Sequence, residues 1–267
     1  MKKGLLILFG EWRNFDSLSY QLENEVKDFD VIISTWNYTY GDIITSQNAK
    51  KTIELTKEHI LETFPYVKDI LIHNVKLQKK LYPINLPWMV FHWKKTLDYI
   101  QDDYEIVVLH RFEVLSNLSK LFLNPIDKHT LYYDDGAESK DGCKWIQDWI
   151  LVGSPYTIKS WIDRLPVCER IISSLPDGFE IKQRPDPHYI LGYYIGLWDN
   201  VHKSLSEHFD KFFYVLVKEQ IIPKSWLESL KEMGIKFFEL DMNSNIFRKV
   251  VKGIEETWVE RYLRDNN

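Results

Sequence analysis

At 267 residues the chain can form one large α/β domain or two small ones, with a substantial core. Its net charge of −5 runs against the basic domain or stripe of a nucleic-acid binder. No stretch approaches the roughly twenty apolar residues of a membrane span, so a soluble, cytoplasmic protein with no transmembrane segment and no nucleic-acid partner is expected.

The first ten residues carry two lysines and an apolar run, but that run is only about five residues long. Gly10-Glu11-Trp12-Arg13 is no small-residue cleavage site, so the segment reads as a strand and not as a signal peptide. Gly4 to Phe9 is this first strand, and Phe15 to Lys27 a helix with Leu18, Leu22 and Val26 on one face. A second strand runs from Asp30 to Thr35. A helix over Asn48 to Thr63, with Ile53, Ile60 and Leu61 inward, stops at Pro65. Lys68 to His73 is a third strand, and Pro87 to Gln101 a helix with proline in its first turn. Tyr104 to Leu109 is the fourth strand. Its four consecutive apolar residues suit a strand covered on both faces. Strands alternating with helices imply βαβ units and a mostly parallel sheet flanked by helices.

Beyond Glu113 the rhythm changes. Leu131–Tyr133 and Trp149–Gly153 read as short strands, with helices at Pro155–Arg164, Val167–Leu175 and Pro187–Trp198. A strand–helix–strand unit follows over Phe212–Val217, Pro223–Met233 and Lys236–Leu240, and a last helix over Asn245–Leu263. Without repeats or a linker, residues 1–267 read as one domain whose second half covers an edge of the sheet. Cys143 and Cys168 lack CxxC or metal-type spacing and read as reduced thiols.

In open α/β sheets, ligands bind outside the carboxyl ends of the strands. Six candidate segments lie there or nearby. Gly10 allows close backbone approach, and Arg13 offers a planar fork of donors to a diphosphate. Thr35-Trp36 suits a nucleobase or ribose, with packing under the next loop as the alternative. His92 and Lys95 share a stripe of the Pro87–Gln101 helix, beside a core face of Met89, Trp93, Leu97 and Ile100 and opposite Phe91, Lys94 and Asp98. His110-Arg111-Phe112-Glu113 delivers two cationic groups and a carboxylate at the end of the fourth strand. Asp148, bracketed by Trp145 and Trp149, suits a general base beside a sugar, and Asp186 and His188 at a later helix start are second choices. There is neither a P-loop nor a GxGxxG motif.

Taken in order, these segments resemble the nucleotide-sugar glycosyltransferases of the GT-A type, nearest to small bacterial and viral enzymes of surface-polysaccharide and lipopolysaccharide synthesis. The resemblance covers residues 3–200 and rests on the Gly10–Arg13 turn, Thr35-Trp36, His110–Glu113, the Asp148–Gly153 segment and Pro187-His188. It implies a GT-A-like (Rossmann-like) α/β fold, with residues 1–115 as the nucleotide-sugar half and 116–267 as the acceptor half. It implies a hexosyl transfer from a donor such as a UDP-sugar to a glycan or other hydroxyl acceptor. Gly10, Arg13, Thr35, Trp36, His92, Lys95, His110 and Arg111 would bind the donor, and Asp148, Asp186 and His188 would serve catalysis. A divalent metal, manganese or magnesium, would sit on Glu113. The chain departs from the family by having one carboxylate where a DxD motif is usual, so Arg13, Lys95 and Arg111 are alternative sources of positive charge. A non-catalytic carbohydrate-binding or assembly protein of the same fold and a nucleotidyltransferase are the competing readings.

Overall fold

Strand β1 (Gly4–Gly10) buries Leu5, Ile7 and Phe9 in one apolar cluster and Leu6 and Leu8 in another, as the alternation of a strand requires. Both faces of the sheet therefore have to be covered, and both are. The computed structural model describes residues 2–13, 15–40, 52–74, 88–133, 147–165, 201–209, 212, 214–216 and 224–239. In chain order these form β1, α1 (Phe15–Leu22), β2 (Phe29–Trp36), β3 (Tyr38–Tyr40), β4 (Thr52–Glu54), α2 (Lys57–Thr63), β5 (Val67–His73) and α3 (Trp88–Lys95). Then follow β6 (Ile106–Arg111), β7 (Val114–Ser116), β8 (Thr130–Tyr133), β9 (Ile150–Gly153) and α4 (Pro155–Arg164). The described elements end with β10 (Val201–Ser204), α5 (Leu205–His208), β11 (Tyr214–Leu216) and α6 (Lys224–Glu232).

The central sheet has seven strands in the order β10-β8-β9-β6-β1-β2-β5. β5, β2, β1 and β6 are parallel, and β8 and β10 share their direction. Among the described strands of this sheet, β9 alone runs the other way. The fold is thus α/β with a mostly parallel sheet flanked by helices, as the sequence predicts. Among the described residues, the second half continues the sheet beyond β6, with β9, β8 and β10 taking the ladder partners there. From β1 the chain builds toward β2 and β5, then returns to place β6 on the other side of β1. The carboxyl ends of β1 and β6 therefore bound a topological switch point.

On one face, α1 and α6 pack Leu18, Leu22, Leu227 and Leu230 against Leu6, Leu8, Val31 and Ile33. On the other, α3 and α4 pack Val90, Trp93, Ile158 and Trp161 against Leu5, Ile7, Phe9 and Ile32. The Phe9–Trp93 and Trp93–Trp161 ring centroids lie 5.3 Å and 5.2 Å apart. At the amino end of β1, Gly4 is dictated by space: a Cβ there would meet the Phe29 ring at 2.6 Å.

Several elements differ from expectation for local reasons. The first helix stops at Leu22, since Glu23 and Glu25 would sit unfavourably at its negative end. In the segment expected to be one helix from Asn48 to Thr63, the β-branched Thr52-Ile53 pairs with β3 instead. Thr56 then caps α2 by accepting from His59 N at 3.2 Å. Ile60 is buried, whereas Ile53 and Leu61 are exposed. Helix α3 ends at Lys95, where the Thr96 hydroxyl donates to Trp93 O at 2.9 Å, and a 3-10 turn follows over Leu97–Tyr99. Met89, Trp93, Leu97 and Ile100 pack in the core as expected, and Val90, Phe91 and His92 are buried as well, so α3 is covered nearly all round. Phe237–Glu239 forms a 3-10 turn where a strand was expected, because Gln21 Oε1 captures Phe237 N at 2.6 Å. The helices expected at Val167–Leu175, Pro187–Trp198 and Asn245–Leu263 lie outside the described residues. Among the described residues, no helix is long and apolar enough to cross a membrane.

Trp12 fastens the turn after β1. Its fully buried ring meets Phe15 edge-on at 4.8 Å and Phe112 at 5.3 Å, and its Nε1 donates to Asp16 at 2.7 Å. Trp12→Ala is expected to cost about 3–5 kcal/mol. The check is a lowered urea midpoint at unchanged m-value.

Candidate active site

The turn leaving β1 is shaped by two residues with positive φ, Gly10 at 107° and Arg13 at 38°. A non-glycine residue in that region is strained, and such strain concentrates where a side chain has to be aimed. The Arg13 guanidinium donates from Nη1 to Glu113 Oε1 at 2.9 Å and from Nε to Glu11 Oε2 at 3.0 Å. Glu11 is held further by the Tyr38 hydroxyl, which donates to Oε1 at 3.2 Å. One turn of the sequence thus meets the motif after β6 at the switch point.

Arg111 is the last residue of β6. It donates from Nη2 to the same Glu113 Oε1, and from Nη1 to Asp148 Oδ1 at 3.0 Å. Asp148 reaches this edge because β9 is reversed. His110 pairs with Ile150, and Arg111 N donates to Trp149 O at 3.0 Å, so the amino end of β9 lies beside the carboxyl end of β6. Glu113 and Asp148 are buried, while the Arg13 and Arg111 side chains remain 32% and 22% exposed. Burial pushes the Glu113 carboxyl up, but the guanidinium groups of Arg111 and Arg13 outweigh it and hold Glu113 below the usual carboxylate range. Burial likewise opposes the charge of Arg111. Glu113 and Asp148 overcome this and raise its pKa.

A second group sits at the ends of β2 and β5. The Ser34 hydroxyl lies 3.0 Å from His73 Nε2 and 2.8 Å from His92 Nδ1, and one hydrogen cannot serve both, so one imidazole accepts and the other donates. Desolvation, with Lys95 a second cause, pushes His73 down to about 4, and desolvation with His73 lowers His92 further below its usual range. Trp36 is 3% exposed, stacked on Phe91 at 5.5 Å and edge-on to His92 at 4.5 Å. Lys95 is exposed, with Nζ 5.6 Å from the centre of the Phe91 ring. Thr35 ties the two groups together by donating to Gly10 O at 2.9 Å.

The residues singled out in the sequence therefore separate. Gly10, Arg13, Arg111, Glu113 and Asp148 come together, with Thr35 as a strut beside them. Trp36, His92 and Lys95 form the neighbouring aromatic group. His92 and His110 are fully buried and brace the edge from beneath, His110 Nε2 lying 2.8 Å from Ser116 Oγ. Asp186 and His188 lie outside the described residues. Glu11, Tyr38 and His73 were missed. Glu11 lies within the quoted GEWR turn, and the strand-end position of His73 was the available signal for it.

Fitting a resident metal to this donor set is unfavourable. Glu113 Oε1 already accepts from two guanidinium groups, and Asp148 Oδ1 from one. Among the described residues, no three His, Cys, Asp or Glu side chains converge on one position. A dication on Glu113 would also stand beside two fixed positive charges.

Two measurements check this electrostatic picture. Removing the carboxylate in Glu113→Ala takes one of two ion-pair partners from each guanidinium, Arg13 keeping Glu11 and Arg111 keeping Asp148, and a loss of about 1–3 kcal/mol is expected, between surface and buried pairs. A urea titration reads it. Burial, partly offset by the Arg111 backbone and by Glu113, also lowers His110 to about 4 from its usual 6.5. Between those values the unfolded chain binds more protons than the folded one, so stability falls on acidification through that window. The expected slope is about 1.4 kcal/mol per pH unit for His110, and less for the half-buried His73. In His110→Asn, the decline of Tm between pH 6.5 and 4 should be shallower.

No family profile and no curated protein matches the sequence. Among solved structures, the chain is similar to the galactosyltransferase LgtC in complex with donor and acceptor sugar analogues. Identity is 10% and the TM-score 0.38, over 61% of this chain and 62% of that one. It is also similar to HddC from Yersinia pseudotuberculosis, with 13% identity and a TM-score of 0.41 over 86% and 99% of the two chains. The glycosyltransferase GlyE of Streptococcus pneumoniae TIGR4 shows 10% identity and a TM-score of 0.44 over 91% and 52%. The match thus spans less than two thirds of the LgtC chain and about half of GlyE. At these values the likeness is one of α/β backbone arrangement alone.

Proposed function

We propose that the protein is a glycosyltransferase that moves a sugar from a nucleoside-diphosphate donor to a hydroxyl acceptor. The observation that carries this reading is the pair of guanidinium groups, Arg13 and Arg111, fixed by one buried carboxylate at the switch point beside Asp148. Guanidinium forks match phosphate oxygens, and a switch-point cleft is where an α/β sheet takes a nucleotide.

In this reading residues 1–115 bind the donor and residues 116–267 face the acceptor. The diphosphate lies against Arg13 and Arg111, and the nucleoside runs past Gly10 toward the ends of β2 and β5. Asp148 takes the proton of the acceptor hydroxyl. The acceptor oxygen then bonds to the anomeric carbon as the bond from that carbon to the phosphate oxygen breaks, and the nucleoside diphosphate leaves with the bonding electrons. Asp186 and His188 are proposed as acceptor-side groups. A hexose carried on UDP, an acceptor from surface-polysaccharide synthesis and a cytoplasmic setting are the corresponding proposals for its biology.

Release of nucleoside diphosphate from a panel of nucleotide sugars, offered with glycan acceptors, tests the reading. At least one donor should turn over. Arg111→Ala should then lower kcat/KM by about 10²–10³, as when a preorganised donor to developing charge is removed. Arg13→Ala should raise KM more than it lowers kcat, being assigned to uniform binding. Binding across the panel with turnover of none would replace the enzyme by a carbohydrate-binding protein. A requirement for a nucleoside triphosphate would point to a nucleotidyltransferase.

A further inference from the structure

A leaving diphosphate needs its growing negative charge neutralised, by a divalent cation or by fixed positive groups. At the position where the resemblance implies a metal, the chain offers Glu113, whose Oε1 accepts from Arg13 Nη1 at 2.9 Å and from Arg111 Nη2. Asp148 Oδ1 accepts from Arg111 Nη1 at 3.0 Å, and Glu11 Oε2 from Arg13 Nε at 3.0 Å. These carboxylates act as the supporting shell of two guanidinium groups, holding each in one orientation.

We propose that Arg13 and Arg111 neutralise the diphosphate in place of a divalent cation. The inference rests on the transferase reading above and specifies how its donor is held. Both guanidinium groups keep donors to spare. Arg13 Nη2 and Arg111 Nε make no hydrogen bond among the described residues, and both side chains are partly exposed. Arg13 also adopts a left-handed backbone conformation, φ 38°, and the two ion pairs to Glu113 and Glu11 offset that strain.

The balance of charge predicts how the anion enters. Among the described residues, two guanidinium groups face three carboxylates (Glu11, Glu113 and Asp148), a net charge of −1 from 2 − 3. A diphosphate therefore binds by exchange, its oxygens replacing Asp148 on Arg111 Nη1. Glu113 stays in place, because both guanidinium groups hold it. The exchange also releases Asp148 from Arg111 as the donor arrives.

Calorimetric titration of the full chain with inorganic pyrophosphate and with UDP, first with a chelator and then with manganese, tests this. Both ligands should bind after chelation, with manganese changing the affinity by less than about threefold, under 1 kcal/mol. Arg111→Ala should weaken pyrophosphate by at least about tenfold, the worth of one charge-assisted hydrogen bond, with Arg111→Lys recovering part of the loss. Asp148→Asn should bind pyrophosphate more tightly than the native chain, a change that a merely structural Asp148 would not produce. Far-UV circular dichroism of each variant confirms that it is folded. Binding of either ligand only when manganese is present would overturn the inference while leaving the transferase reading standing. Pyrophosphate binding after chelation, with no nucleotide sugar ever turned over, would overturn the transferase reading alone. Binding of neither ligand under either condition would overturn both.

Discussion

One carboxylate oxygen, Glu113 Oε1, accepts hydrogen bonds from guanidinium groups delivered by two strands that are neighbours in the sheet and far apart in the chain. The surrounding geometry depends on this shared acceptor. It joins the turn after β1 to the turn after β6, and so closes the switch point with ionic contacts where a bare α/β sheet would leave an open crevice. Because the carboxylate is buried and both cations are only partly so, the charges cannot be screened as a surface pair would be. Nor do they bear the full desolvation cost of a deep ion pair. The oxygen holds the two arginines at a fixed spacing.

The neighbouring group at the ends of β2 and β5 works by a different principle. Here burial keeps imidazoles neutral, and a single serine hydroxyl orders two of them through its one proton. Trp36 and Phe91 stack over the same corner, and both rings are buried. The cleft edge thus divides into a charged half and a neutral aromatic half, joined by the Thr35 bond to Gly10.

The sequence made the parallel half of the fold legible because its signals are local. The apolar run Ile106–Leu109 and the alternation of strand and helix patterns are each readable within about ten residues. The charged motif after β6 and the Gly10–Arg13 turn were legible for the same reason. What escaped reading depends on partners distant in sequence. Nothing within residues 147–153 says that β9 runs antiparallel to β6, yet that reversal is what brings Asp148 to Arg111. The burial of His92 and Phe91 follows from a second covering surface that a helical wheel does not contain. Thr52–Glu54 took strand pairing over helix because β3 lies beside it. Glu11 was readable as a turn residue but not as a partner, since its role depends on where Arg13 points.

The reversed strand has an implication for how such a site can change. In a purely parallel sheet, every residue at the carboxyl edge follows a strand, and altering it disturbs the turn into the next helix. β9 instead contributes to that edge from its beginning, because it runs antiparallel to β6. Residues 147–149 therefore stand on a strand of their own, yet meet the β6 turn directly, through Asp148 Oδ1 on Arg111 Nη1 and Trp149 O on Arg111 N. The topology thus couples the two sides of the site through Arg111. One side is fixed by parallel strands and a shared carboxylate, and a change on the other is felt at the arginine both of them hold.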